Sequence, residues 1–306
     1  LRRRRGARFG GWLTVTFFLF PALMLFALLV LIPIVVAVYT SLFRWGGFGA
    51  PENFIGLENF QRLFQDEVFL GDLWRGFLLI VLSLCLQLPF SLAMALLLNQ
   101  RLRGRALYRV VFFAPYVLSE VITAVLFTMI FNPGEGLADR TLDAIGLGHL
   151  DIGWFASSDT VLPTLFLVMT WKYFGFHMII YLAALQGIPK EVLEAASIDG
   201  AGAWRRFRHV TLPLLGPTLR ISAFLSVIWS IQLFDLVYVI SGGGPVHASE
   251  TMAITMFEYG FKRYQMGYAN AISVVMFVFS FVFALFYMRY VMRRDTAGAV
   301  TSAGGM

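Results

Sequence analysis

The chain has 306 residues, of which 58% are apolar and 14% charged, with a formal net charge of +6. Soluble proteins run at about 45–50% apolar and about 25% charged. A water-soluble globule is therefore excluded, as are disordered, collagen-like and disulfide-scaffold classes, and the chain reads as an all-α integral membrane protein.

A bilayer core about 30 Å thick needs about 20 apolar residues per helix. Six runs meet this, at roughly 14–42, 73–98, 110–131, 160–185, 218–240 and 268–291. A basic stretch, 1–13, precedes the first and holds Arg2, Arg3, Arg4, Arg5 and Arg8. The first run is longer than the 7–15 apolar residues of a signal peptide and lacks a small-residue cleavage site, so it is expected to be a retained helix. The chain begins with Leu1, not Met, so its first residues are expected to be missing or trimmed. Gly56 to Phe64 has apolar residues at helical spacing, which predicts a short surface helix. The second run holds Cys85, the single cysteine, expected to be buried and inert. It also holds Gln87 and Pro89, expected to mark a kink or an inter-helix contact. Turn chemistry follows the third run at Asn132-Pro133-Gly134 and the fifth at Gly242-Gly243-Gly244-Pro245. Residues 295–306 are small and polar, a loose tail. A six-span domain over 14–294 is thus expected.

Lysine and arginine beside the spans set orientation. Seventeen fall on the side of the N-terminus, the second and fourth loops and the C-terminus, and six on the other; the remaining one, Lys172, lies inside a span. Both termini are expected in the cytoplasm, as an even span count requires. The positive charge is a topology signal, so nucleic acid is not an expected partner, while membrane lipid is.

Ionisable residues inside spans are costly and mark functional candidates. At 1.5 Å per residue, Glu120 lies about 15 Å into the third span, Lys172 about 18 Å into the fourth, and Trp229 and Ser230 about 17 Å into the fifth. Tyr173 and His177 share a helix face, Lys172 and Phe176 the neighbouring one. Trp229, Gln232 and Asp235 align by i, i+3 steps. Aromatic rings beside hydrogen-bonding groups suit a sugar. The same rings could serve packing alone, and Glu120 with Lys172 could be a structural ion pair. No catalytic or metal-binding cluster stands out, since His149, His177, His209 and His247 are scattered, so the chain is not expected to be an enzyme. A Gly-x-x-x-x-Gly-Lys-Ser/Thr phosphate loop is absent. A self-sufficient carrier using Glu120, Asp235 and His177 as a relay would show internal symmetry or paired broken helices, and no repeat is visible.

The cytoplasmic loop at about 186–217 is unusual. Pro189 suits the first turn of a helix, Gly200 and Gly202 break it, and a second amphipathic piece runs through Trp204, Phe207 and Val210 to Pro213, which closes the segment. Two short helices at a bend form either a knob for a partner's groove or an interfacial pair on the membrane.

Glu194-Ala195-Ala196, Gly200 and Val210-Thr211-Leu212-Pro213 keep the spacing of the EAA loop of permease subunits in bacterial ATP-binding-cassette importers, and closely resemble it. Pro115-Tyr116, Ile188-Pro189, Gly243-Gly244-Pro245 and Gly56-Leu57-Glu58-Asn59-Phe60 resemble the carbohydrate type, the maltose-permease-like subunit above all. The resemblance implies the type I importer permease fold and a multi-pass protein of the bacterial inner membrane. It implies half of a translocation pathway for a di- or oligosaccharide, with glycerol phosphate or another small solute as the alternative. It also implies a second homologous permease, two ATPase subunits carrying ATP and Mg, and an extracytoplasmic sugar-binding protein; this chain itself would hold no cofactor. Glu194, Ala195, Ala196, Asp199, Gly200, Leu212 and Pro213 would dock the ATPase. By this resemblance the sugar-contacting positions of the maltose permease fall on Tyr116, Glu120, Met169, Lys172, Tyr173, Phe176, Trp229, Ser230 and Leu233. Most of these differ in type from the maltose permease, which argues against maltose handled in the same way.

Overall fold

A computed structural model describes residues 3–100, 102–148 and 152–292. Arg2, Arg101, His149, Arg293, Arg294 and the expected tail lie outside them, as do the side chains of Arg3, Arg4, Arg5 and Arg8. The described residues are helical, with one isolated antiparallel bridge between Phe43 and Phe54. In chain order, α1 runs through Arg3–Phe26 and Ile32–Thr40, α2 is Glu58–Leu63, and α3 is Glu67–Leu98. Then come α4 (Arg105–Val117), α5 (Glu120–Ile130), α6 (Leu137–Ala144) and α7 (Val161–Gln186). They are followed by α8 (Lys190–Ile198), α9 (Ala203–Leu214), α10 (Gly216–Ile231), α11 (Asp235–Ile240), α12 (Met252–Phe257) and α13 (Met266–Met292).

Four helices, α1, α3, α7 and α13, are long and apolar enough to cross a membrane. The pairs α4–α5 and α9–α10 pass the same test when each is taken together, which gives up to six candidate spans by length and composition. The third and fifth spans are therefore not the straight runs expected. α4 meets α5 at 99°. Pro115 lacks a donor near the end of α4, and Ser119 adopts extended backbone and caps α5, its Oγ accepting from the Ile122 N–H at 3.3 Å. α9 leads into α10 through a 66° bend, and the helix of the expected fifth run stops at Ile231 before α11 begins. In that break the Leu233 carbonyl accepts a hydrogen bond from Thr251 Oγ1 at 2.8 Å. Pro213 does not close its segment, because α9 continues through it to Leu214.

Three π turns, Ala27–Leu31, Ser83–Gln87 and Phe207–Thr211, each end two residues before a proline: Pro33, Pro89 and Pro213. Proline removes the N–H that the preceding turn would use and crowds its carbonyl, and a widened turn relieves that clash. Cys85 sits in the second of these turns and is exposed, contrary to expectation. The apolar run around it covers a membrane helix that is only partly packed inside the chain, so an apolar neighbourhood there does not mean burial.

The chain divides into two compact units. One comprises residues up to Asp66 with Met256–Phe277. Here the buried Asn59 amide donates to the Ser41 and Phe43 carbonyls at 2.8 and 3.0 Å, fixing the loop that enters α2. The Arg62 guanidinium lies 4.2 Å from the Tyr268 ring centroid, and Tyr268 donates to Asp66 at 2.9 Å. The other unit comprises Glu67–Thr255 and residues from Val278 on. Its core has one cluster around Leu79, Phe127, Leu165, Val168, Leu236 and Ile254, and another around Phe174, Met178, Tyr181, Leu185 and Leu215. A Cβ on Gly175 would overlap the Phe112 carbonyl, so α4 and α7 meet main chain to main chain there.

Candidate functional site

The second unit encloses a cavity of about 440 Å³ lined from α3, α4, α5, α7, α10 and the break before α11. It gathers Tyr116, Glu120, Met169, Lys172, Tyr173, Trp229, Ser230 and Leu233 from separate helices. The bend after α4 places Glu120 at the first turn of α5, where it accepts a hydrogen bond from the Tyr173 hydroxyl. That bend also frees the Leu118 carbonyl, and Lys172 Nζ donates to it at 2.5 Å. Glu120 and Lys172 thus take separate hydrogen-bond partners instead of bonding to each other. Tyr173 stacks on Trp229 with ring centroids 5.4 Å apart. Phe176 stands behind the lining, stacked on Tyr116 at 4.7 Å and tilted against Trp229 at 5.3 Å. The result is an aromatic wall beside a carboxylate, an ammonium and a row of hydroxyls. Ser230 is almost fully buried, its hydroxyl donating to the Ser226 carbonyl at 2.9 Å.

His177, Gln232 and Asp235 also line the cavity. Sequence reasoning missed Ser83, Ser226, the Leu118 backbone and Ser119, and it read Gln87 as marking a kink or an inter-helix contact. The structure shows Gln87 in the lining and accepting from Ser83 within the α3 π turn. Polar residues spaced i, i+4 in an apolar span were the available signal for this pair.

The second candidate region is α8, its turn and α9. Gly200 has φ +78°. Its N–H donates to the Ser197 carbonyl at 3.1 Å, and the Ala201 N–H donates to the Ala196 carbonyl at 3.0 Å. This is a Schellman turn, which needs a residue free to take left-handed backbone. Arg206 Nη1 donates to Ser197 Oγ at 2.5 Å and ties α9 back to α8. The turn leaves a knob of exposed apolar side chains, with Ile198 86% and Trp204 68% exposed. Glu194, Ala195 and Asp199 are exposed on the same piece, Ala196 is half-buried, and Leu212 and Pro213 lie in the last turn of α9 beyond its π turn.

Residues 87–294 match the family model described as the inner membrane component of binding-protein-dependent transport systems. The chain is 35% identical to the probable ABC transporter permease protein YurN of Bacillus subtilis (strain 168), across 89% of this chain and 94% of that one. It is 32% identical to the diacetylchitobiose uptake system permease protein NgcF of Streptomyces coelicolor, across 97% of this chain and 86% of that one. Its fold matches a chain of a bacterial ABC transporter involved in the import of the acidic polysaccharide alginate. The TM-score is 0.82, the identity 23%, and the match covers 95% of this chain and 99% of that one.

Proposed function

The chain belongs to the family of inner membrane components of binding-protein-dependent transport systems, and from that premise we propose that it forms half of the pathway of an ATP-driven saccharide importer. The observation that carries the proposal is the cavity, where Tyr116, Tyr173 and Trp229 line one space with Glu120, Lys172 and Ser230. Rings of this kind stack on the C–H faces of a sugar, and the polar groups take its hydroxyls. The diacetylchitobiose relative supports a saccharide as the cargo class. Glycerol phosphate fits less well, because Glu120 and Asp235 stand beside Lys172 in the lining. No catalytic step is assigned to this chain; ATP hydrolysis belongs to partner subunits.

The exposed knob of α8 and α9 is the surface that meets an ATPase. Glu194 offers a charge to a basic partner residue, and Ile198 and Trp204 offer apolar area to a groove. Closure of the ATPases would push the knob and swing the spans between inward- and outward-facing states. The basic side of the chain then faces the cytoplasm, and an extracytoplasmic binding protein delivers cargo on the other side.

The broken third and fifth spans favour a second reading, a carrier that works alone. One experiment separates the two. The chain is purified in mild detergent from its native membrane and its companions are identified by mass spectrometry. An ATPase, a second permease and a binding protein are expected. A lone or homo-oligomeric chain that still transports would overturn the proposal.

A further inference from the structure

We infer that His177, Gln87 and Ser226 form a separate compartment of the cavity that binds the hydroxyl groups of an uncharged sugar ring; this rests on the reading of the cavity as the cargo site. His177 is 0% exposed yet lines the cavity, and neither Nδ1 nor Nε2 has a hydrogen-bond partner. Buried polar groups are nearly always hydrogen-bonded, so this imidazole stands ready for a partner that the chain does not supply.

Its neighbours in the lining, almost fully buried themselves, bond to one another. Ser83 donates to Gln87 Oε1 and lies 2.6 Å from Ser226 Oγ. With its oxygen used, the Gln87 amide keeps its nitrogen as a donor. A neutral imidazole offers one donor and one acceptor. The set therefore matches hydroxyls, which both give and take a hydrogen bond.

The set is also offset from Lys172 along α7. His177 lies five residues beyond Lys172 on α7, about 7.5 Å of helix rise. Ser226 lies on α10, short of the break that leads to Asp235. None of the three carries a formal charge when the imidazole is neutral, so a charged cargo group seated here would be buried without a counter-charge, at high cost. The Trp229 ring centroid is 5.8 Å from that of His177 and provides a face for the C–H side of a ring. Dry packing is the competing role for His177, and the test must tell the two apart.

The test uses the transporter co-purified with its own partners in lipid nanodiscs. Saturation-transfer NMR is run on a mixture of lactose, diacetylchitobiose and digalacturonate. Transfer to a neutral sugar is expected in the wild type. It should weaken roughly three- to tenfold in His177→Phe and be largely restored in His177→Gln. A monodeoxy analogue lacking the contacted hydroxyl should bind wild type and His177→Phe alike, which a packing role would not produce. Gln87→Leu carries the same expectation if His177→Phe fails to assemble. Unchanged transfer in His177→Phe with transfer lost in Trp229→Ala would overturn the compartment and leave the cargo reading standing. So would equal losses in His177→Gln and His177→Phe, or transfer to digalacturonate alone. No transfer to any probe in the wild type would sink the cargo reading and this inference together.

Discussion

The Tyr173 hydroxyl donates to the Glu120 carboxylate, joining α7 to the first turn of α5 across 53 residues of chain. Tyr173→Phe removes the donor and leaves a half-buried carboxylate short of a partner. It should lower stability by about 1–3 kcal/mol, read as a lower unfolding temperature in detergent. Glu120→Gln keeps an acceptor for the hydroxyl and should cost less.

Trp229 contacts Tyr173, Phe176 and His177 through ring packing. Trp229→Ala should reduce uptake in vesicles at least about tenfold, since ring stacking and apolar contact with the cargo go with it. Co-purification with the partner subunits should be unchanged. Loss of assembly instead would make Trp229 a packing residue.

At φ +78°, Gly200→Ala places a Cβ in left-handed backbone, at a cost of about 1–2 kcal/mol. Gly200→Asn tolerates that geometry better. The alanine variant should bind ATPase subunits more weakly than the asparagine variant, with both present in the membrane at normal levels. Pull-down of the ATPase from solubilised membranes checks the order. Glu194→Lys should likewise abolish transport without loss from the membrane.

Asp139 accepts from Trp154 Nε1 at 2.6 Å and from the Gly134 N–H at 2.7 Å, which holds its carboxyl below the usual range. A depressed value in the folded state adds stability that is present above the unfolded value and lost as pH falls through the folded one. Between neutral pH and about pH 4 this contribution should be constant, and it should vanish on further acidification. Asp139→Asn should lower the unfolding temperature at neutral pH and flatten that acid loss.

Four of the expected runs were legible as single long apolar helices, because length and apolarity decide which helices can cross a bilayer. The glycine turn at Gly200 was legible too, since few residues suit left-handed backbone. The cavity was half legible. Tyr173 and His177 could be paired by helical spacing, and Glu120 and Lys172 by their cost in an apolar span. Ser83 escaped notice because a π turn shifts the register on which face assignments rest, and Gln87 beside Pro89 already read as a kink or an inter-helix contact. The 99° bend after Val117 escaped notice as well. Pro115 is compatible with a helix that merely curves, and only the bend exposes the Leu118 carbonyl that Lys172 seeks.

Gly175 and the Phe112 carbonyl leave no side chain between α7 and α4 at their crossing. Side chains are the compliant part of a helix contact, because they can change rotamer and absorb a shift. Two touching main chains have no such cushion. The pair can pivot or part at that point but cannot be squeezed together, like a rocker resting on its pin. A thrust entering at α8 reaches α7 across the three residues Gly187, Ile188 and Pro189. If the knob is pushed as proposed, the pin would pass that thrust to α4 with little lost to compression, and Tyr116 and the Leu118 carbonyl would move with it.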